Sequence, residues 1–364
     1  MFSYLLILVP VSLILSYLVD ASPVWVFFSS VLAIVPLAVW IRRATEQLAH
    51  RTSPSIGGLL NISFGNAAEL VLALFVLLAG NTIVVKGQIT GSIIGNSLLG
   101  LGLAVVVGTW GKQNLKFNRD QAGLLSTLLM LVLVGLLLPA IFDFTERDIA
   151  NAPNALVLDE TLSLAVSVVL ILLYVGNLIY TLVTHDDIFS ANDKKGEKVK
   201  LEITDQNKPW PLWKSILILI SATAVTALEA EFVSGALEET AGMIGVSTFF
   251  LGVIVLAVIG NAAEYVSAVY FAKKGDMDLV MTITVGSTVQ VALFVAPLLV
   301  LISYLIGKPM DLVFNNPIEL IAIASVAFII NAISKDGDVT WFEGALLLGV
   351  YLLMAIAFFL VTPT

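Results

Sequence analysis

A chain of 364 residues that is 59% hydrophobic, 12% charged and formally −9 at neutral pH has too little polar surface to close over one water-soluble core. It contains no cysteine, no basic tract and no glycine fingerprint of a dinucleotide fold. Together these exclude a soluble enzyme, a disulfide framework, thiolate metal sites and a nucleic-acid partner. Apolar runs of about 20 residues recur along the chain, the length a helix needs to cross a bilayer. They predict eleven membrane spans, at 3–19, 24–41, 56–80, 87–109, 120–141, 159–184, 211–235, 247–271, 279–303, 316–333 and 343–361. The end of the seventh is the least marked, because Glu229 and Glu231 fall inside it. The first has no charge before it and no small-residue cleavage site, so it is expected to be retained. The polar stretch 185–209 reads as a loop between two halves, 24–184 and 210–364, with 1–23 as a separate N-terminal helix. His50 and His185 fall near span ends and read as loop residues, not ligands.

Basic residues set the orientation, since they collect on the cytoplasmic side. With the N-terminus inside and eleven alternating spans, 15 lysines and arginines face the cytoplasm and 3 (Lys86, Arg147 and Lys308) face out. The 185–209 loop is then cytoplasmic and the C-terminus outside. Short termini and compact loops suit the cell membrane of a bacterium or archaeon. A homo-oligomer is compatible with the sequence.

The sequence repeats itself. GNAAE occurs at 65–69 and at 260–264, and over 57–92 the same offset of 195 gives 12 identities in 36 positions. The third and eighth spans run in opposite directions in this topology, so the copies are inverted. Inverted repeats give secondary transporters two related conformations, with the substrate near mid-membrane.

Glu69 and Glu264 lie within these two spans. A lone carboxylate at the bilayer centre costs about 2.5–3.5 kcal/mol or more, so each should face a cavity or a partner. Two carboxylates suit a hard divalent cation, and calcium takes oxygen ligands. Asn66 and Asn261 stand three residues before them and could ligate an ion or cap interrupted helices. Ser92 and Asn96, and Ser287 and Gln290, form polar stripes on the fourth and ninth spans; each could instead hydrogen-bond between helices. Gly65, Gly91, Gly260 and Gly286 precede these polar groups and fit close helix packing. If cation and proton compete for one site, and only the neutralised site crosses cheaply, the result is antiport.

GGLLNISFGNAAEL at 57–70 with GSIIGNSLLGLG at 91–102 resembles the first signature of the calcium/proton exchangers, in the cation/calcium exchanger superfamily. GNAAEYVSAVYFAKKG at 260–275 with GSTVQVALFVAP at 286–297 is similar to the second; ATEQLA at 44–49 and ALEETAG at 236–242 also match. The resemblance implies an all-α fold of eleven helices, one N-terminal helix followed by two inverted five-helix halves. It implies that Glu69 and Glu264 bind calcium, the transported substrate, and exchange it for protons, with no cofactor. Asn66, Asn96, Asn261 and Gln290 match the signature amides. The resemblance also implies that Glu46, Glu238 and Glu239 fall on the family's gating helices. Relatives often carry serine where Gly95 stands, and some carry a highly acidic helix between the halves, which 185–209 lacks. Sodium/calcium exchange, transport of another divalent cation and an ion channel remain the alternatives.

Overall fold

The computed structural model describes residues 3–19, 21–49, 51, 65–146, 155–181, 210–314 and 316–361. Lipid offers no hydrogen bonds, so a spanning segment must satisfy its backbone internally, and a helix does this within one segment. The described residues are accordingly almost all helical. A short 3-10 turn, Ser3–Ile7, leads into α1 (Leu8–Tyr17), followed by α2 (Pro23–Ala49) and α3 (Ala67–Leu78). Next come α4 (Thr82–Gly108), α5 (Arg119–Phe144), α6 (Ala155–Ile179) and α7 (Leu212–Ile244). The chain continues through α8 (Thr248–Gly260), α9 (Ala262–Lys274), α10 (Met277–Leu305), α11 (Pro317–Asp336) and α12 (Trp341–Leu360). Two two-residue strands, β1 (Leu115–Lys116) and β2 (Asp338–Val339), pair antiparallel, Leu115 opposite Val339. Among the described residues eight helices are long and apolar enough to cross a membrane, nine when α8 and α9, bent by 50°, count as one. The protein is therefore an all-α, multi-pass membrane protein. The start of the expected third span, both histidines and the 185–209 loop lie outside the described residues.

Local chemistry sets the helix ends. Asn118 accepts from the amides of Asp120 and Gln121 to start α5, and Thr340 and Glu343 form a capping box on α12. Gly245, Gly275 and Gly337 close α7, α9 and α11 with φ of 74°, 83° and 77°, a left-handed turn that suits glycine. Two helices outrun their expected spans. α2 continues past residue 41 to Ala49, through an Arg42–Glu46 pair at 3.3 Å with i,i+4 spacing. α7 continues past residue 235 to Ile244, where Gly245 ends it, and Glu229, inside the expected span, is buried with a hydrogen-bond partner and does not break the helix.

The fold divides into two compact units, Met1–Ala79 with Val175–Gly245 and Gly80–Tyr174 with Val246–Thr364. In the first, α7 packs along α2 and α3, and α1 packs on α2 and α7. Trp210 stacks on Trp40 with centroids 5.9 Å apart, and its amide donates to Gln47 Oε1 at 3.0 Å. In the second, α4 packs against α8, α9, α11 and α12. Gly87, Gly91 and Gly95 recur every fourth residue and strip one face of α4 of side chains. A Cβ at Gly91 would overlap the Val253 carbonyl oxygen, and one at Gly252 would lie 2.6 Å from the Val84 oxygen. Backbone thus meets backbone where α4 crosses α8. Gly286 differs, since a Cβ there would meet nothing nearer than Thr282 Cγ2 at 3.8 Å. Gly91→Val is therefore expected to destabilise the protein by about 1–3 kcal/mol, whereas Gly286→Ala stays within about 0.5 kcal/mol. Thermal unfolding in detergent checks the contrast.

Candidate functional site

The helix that carries Glu264 is interrupted beside it. α8 ends at Gly260, α9 begins at Ala262, and Asn261 between them has φ −92° and ψ 6°. Asn66 has nearly the same backbone, φ −101° and ψ 20°, immediately before α3. Both copies of GNAAE thus carry an asparagine of similar non-helical backbone and place the glutamate in the first turn of the following helix. There the positive end of the helix dipole offsets a carboxylate. Neither asparagine side chain caps its helix, so the capping alternative is not adopted.

Asn261 is instead held from the side. Its Nδ2 donates to Ser92 Oγ on α4 at 3.0 Å and to the Ala257 carbonyl at 2.8 Å. With both amide hydrogens used, Oδ1 is left buried with no partner among the described residues. Asn96, on α4 one turn beyond Ser92, is 0% exposed, and neither its Oδ1 nor its Nδ2 has a partner among the described residues. A buried polar group left unpaired costs about 1–3 kcal/mol, so a native interior rarely holds one without a use. Acceptor oxygens turned inward are what a hard cation or a proton donor requires.

The second unit holds Ser92, Asn96, Asn261, Glu264, Ser287 and Gln290; the first holds Asn66 and Glu69. All are buried except Gln290, which is partly exposed. Ser92 spends its oxygen on the α4–α8 hydrogen bond, which orients Asn261. Glu46 is buried on α2 beside Arg42, and Glu238 and Glu239 are exposed on α7. Gly260 is buried directly before the break. Gly65, like Gly286, has room: among the described residues nothing lies within 4 Å of a Cβ built there.

Sequence reasoning missed several features. π-helical turns occur at Gly95–Gly100, Leu251–Leu256, Thr282–Gly286 and Val291–Val295. The first contains Asn96 and the last directly follows Gln290, so the repeat recurs as a backbone irregularity where such turns mark functional sites. Hydropathy carries no signal for one extra residue in a turn. Ser97 and Thr288 hydroxyls meet at 2.8 Å between α4 and α10, and Thr90 donates to buried Glu319 on α11 at 2.9 Å. Glu319 was visible as a lone acid inside the tenth span. Asn96→Leu, which removes an unpaired amide at similar volume, should raise the ion-free stability by about 1–3 kcal/mol. A lower unfolding midpoint would show that the amide is satisfied.

The sodium/calcium exchanger protein family model matches residues 22–183 and 214–360. The Ca(2+)/H(+) antiporter of Aphanothece halophytica is 40% identical over 364 residues, covering 98% of this chain and 95% of that one. The Ca(2+)/H(+) antiporter ChaA of Bacillus subtilis is 40% identical over 332 residues, covering 90% of each chain. The solved structure of native YfkE superposes with a TM-score of 0.81 at 37% identity, covering 98% of this chain and 99% of that one. On this similarity, spread over nearly its whole length, the chain belongs to the calcium/proton exchanger family of the cation/calcium exchanger superfamily.

Proposed function

We propose that the protein is a secondary active antiporter that exchanges calcium for protons by alternating access. The observation that carries the reading is Asn261: both its donors are used, and its acceptor oxygen is buried with no partner among the described residues, three residues before Glu264 at a helix break. Relatives that match at 40% identity and carry the name Ca(2+)/H(+) antiporter support the choice of ion and counter-ion.

In this proposal Glu69 and Glu264 are the charged ligands of one mid-membrane site. Asn66, Asn96, Asn261, Ser287 and Gln290 add oxygens, and Ser92 positions Asn261. Two carboxylates in hydrocarbon must be neutralised before they can be occluded, and calcium or protons can do this. The site therefore crosses the membrane loaded with one or the other, which couples their fluxes. Eleven spans, an N-terminal helix over 1–23, inverted halves over 24–184 and 210–364 and a cytoplasmic 185–209 loop give the two access states. The 15-to-3 split of basic residues puts the N-terminus in the cytoplasm and the C-terminus outside. Glu46, Glu238 and Glu239 line the access routes.

Sodium-free proteoliposomes with an acidic lumen and a clamped membrane potential test this. Calcium uptake should require the proton gradient. Glu69→Gln and Glu264→Gln should each lower it by about tenfold or more, the loss of one charge-assisted ligand contact. Uptake driven only by an opposing sodium gradient would assign the protein to sodium/calcium exchange instead.

A further inference from the structure

Glu229 lies near the middle of α7, outside both GNAAE segments, and is 0% exposed. Its polar neighbours are Ser12 on α1 and Ser30 on α2, each also 0% exposed. The Ser12 oxygen lies 2.7 Å from Glu229 Oε1 and 2.8 Å from the Val9 carbonyl oxygen. A serine hydroxyl owns one hydrogen. If that hydrogen goes to the Val9 carbonyl, the contact with Glu229 is a hydrogen bond only when the carboxyl supplies the hydrogen itself. The ionised alternative would leave a full charge in an apolar interior on a single donor, because Oε2 has no hydrogen-bond partner among the described residues.

Among the described residues no ion pair relieves it. α1 has no charged residue; its one titratable group is Tyr17, whose ring packs edge-on against Phe232 of α7. The charged groups of α2 are Arg42, Arg43 and Glu46, twelve or more residues from Ser30, about 18 Å along a helix. α3 contributes Glu69, and α7 itself carries Lys214, Glu231, Glu238 and Glu239. The pocket is also too poor in oxygen for a metal: calcium takes six to eight oxygen ligands, and among the described residues the carboxyl is hydrogen-bonded to one hydroxyl, Ser12, with Ser30 nearby.

We infer that Glu229 is a proton-binding site of its own, whose carboxyl O–H donates to Ser12 Oγ while Ser12 donates to the Val9 carbonyl, so that a bound proton ties α1 to α7. The proton is held within the first unit and needs neither GNAAE glutamate. The bond joins the N-terminal helix, which lies outside the repeat, to a helix of the second half.

Infrared difference spectroscopy of the lipid-reconstituted protein, saturated with calcium at neutral pH, tests this independently of any transport reading. Subtracting Glu229→Gln from the unsubstituted protein should reveal one carbonyl-stretch band of a protonated carboxylic acid, with the carboxylate region unchanged. Loss of a carboxylate band instead would overturn the inference. Ser12→Ala should move the acid band to higher frequency by removing its hydrogen-bond acceptor, and it provides the readout should Glu229→Gln fail to assemble. An unmoved acid band in Ser12→Ala would exclude Ser12 as the partner.

Discussion

A carboxylate cannot be left bare inside a bilayer, and the fold is arranged around its acids accordingly. Glu319 receives a hydrogen bond from Thr90, and Glu229 sits against Ser12, so each meets a hydroxyl from another helix. The glutamates of the two GNAAE segments each occupy the first turn of a helix, three residues after an asparagine of similar backbone conformation. A helix start beside a polar bend can favour a negative charge without permanently neutralising it. Glu319 and Glu229 thereby join helices through their hydroxyl partners, whereas a cation role is proposed for Glu69 and Glu264.

Holding an acceptor oxygen ready in an apolar interior requires a stiff surround. Around Asn261 the stiffness comes from glycine. Gly87, Gly91 and Gly252 let the backbones of α4 and α8 touch, which brings Ser92 within reach of the Asn261 amide. Larger side chains would part the helices and break this bond. The Asn96 and Asn261 atoms that lack a partner among the described residues cost stability that the close α4–α8 packing offsets. Stability and site chemistry thus meet on one helix face, and the π-helical turn at Gly95–Gly100 continues from it.

Much of this was legible in the sequence. Apolar runs located most of the helices, and the GNAAE repeat singled out Glu69 and Glu264 as candidates, because an acid in an apolar run stands out and a duplicated one does so twice; the structure places both in the first turn of a helix. Helix lengths were not legible from hydropathy: an apolar window closes where charge begins, but α2 runs on through the local Arg42–Glu46 pair and α7 through its polar last turns to Gly245. The asparagines were equally ambiguous. Capping and ligation need the same residue type at the same spacing, and it takes the Ser92 and Ala257 partners of Asn261 to show that its amide does not cap the helix. Hydropathy could not reveal π-helical turns, because one added residue barely shifts an apolar pattern that is hydrophobic on every face. Nor could it distinguish glycines in contact, such as Gly91, from glycines with room, such as Gly286.

The central claim is that calcium and protons compete for one neutralised carboxylate site. Its most direct measurement is the proton release that accompanies calcium binding to the purified, sodium-free protein, followed by titration calorimetry in buffers of different ionisation enthalpy. The account predicts that calcium displaces protons at neutral pH and that Glu264→Gln reduces the number displaced. Calcium binding with no proton release, unchanged in Glu264→Gln, would contradict it.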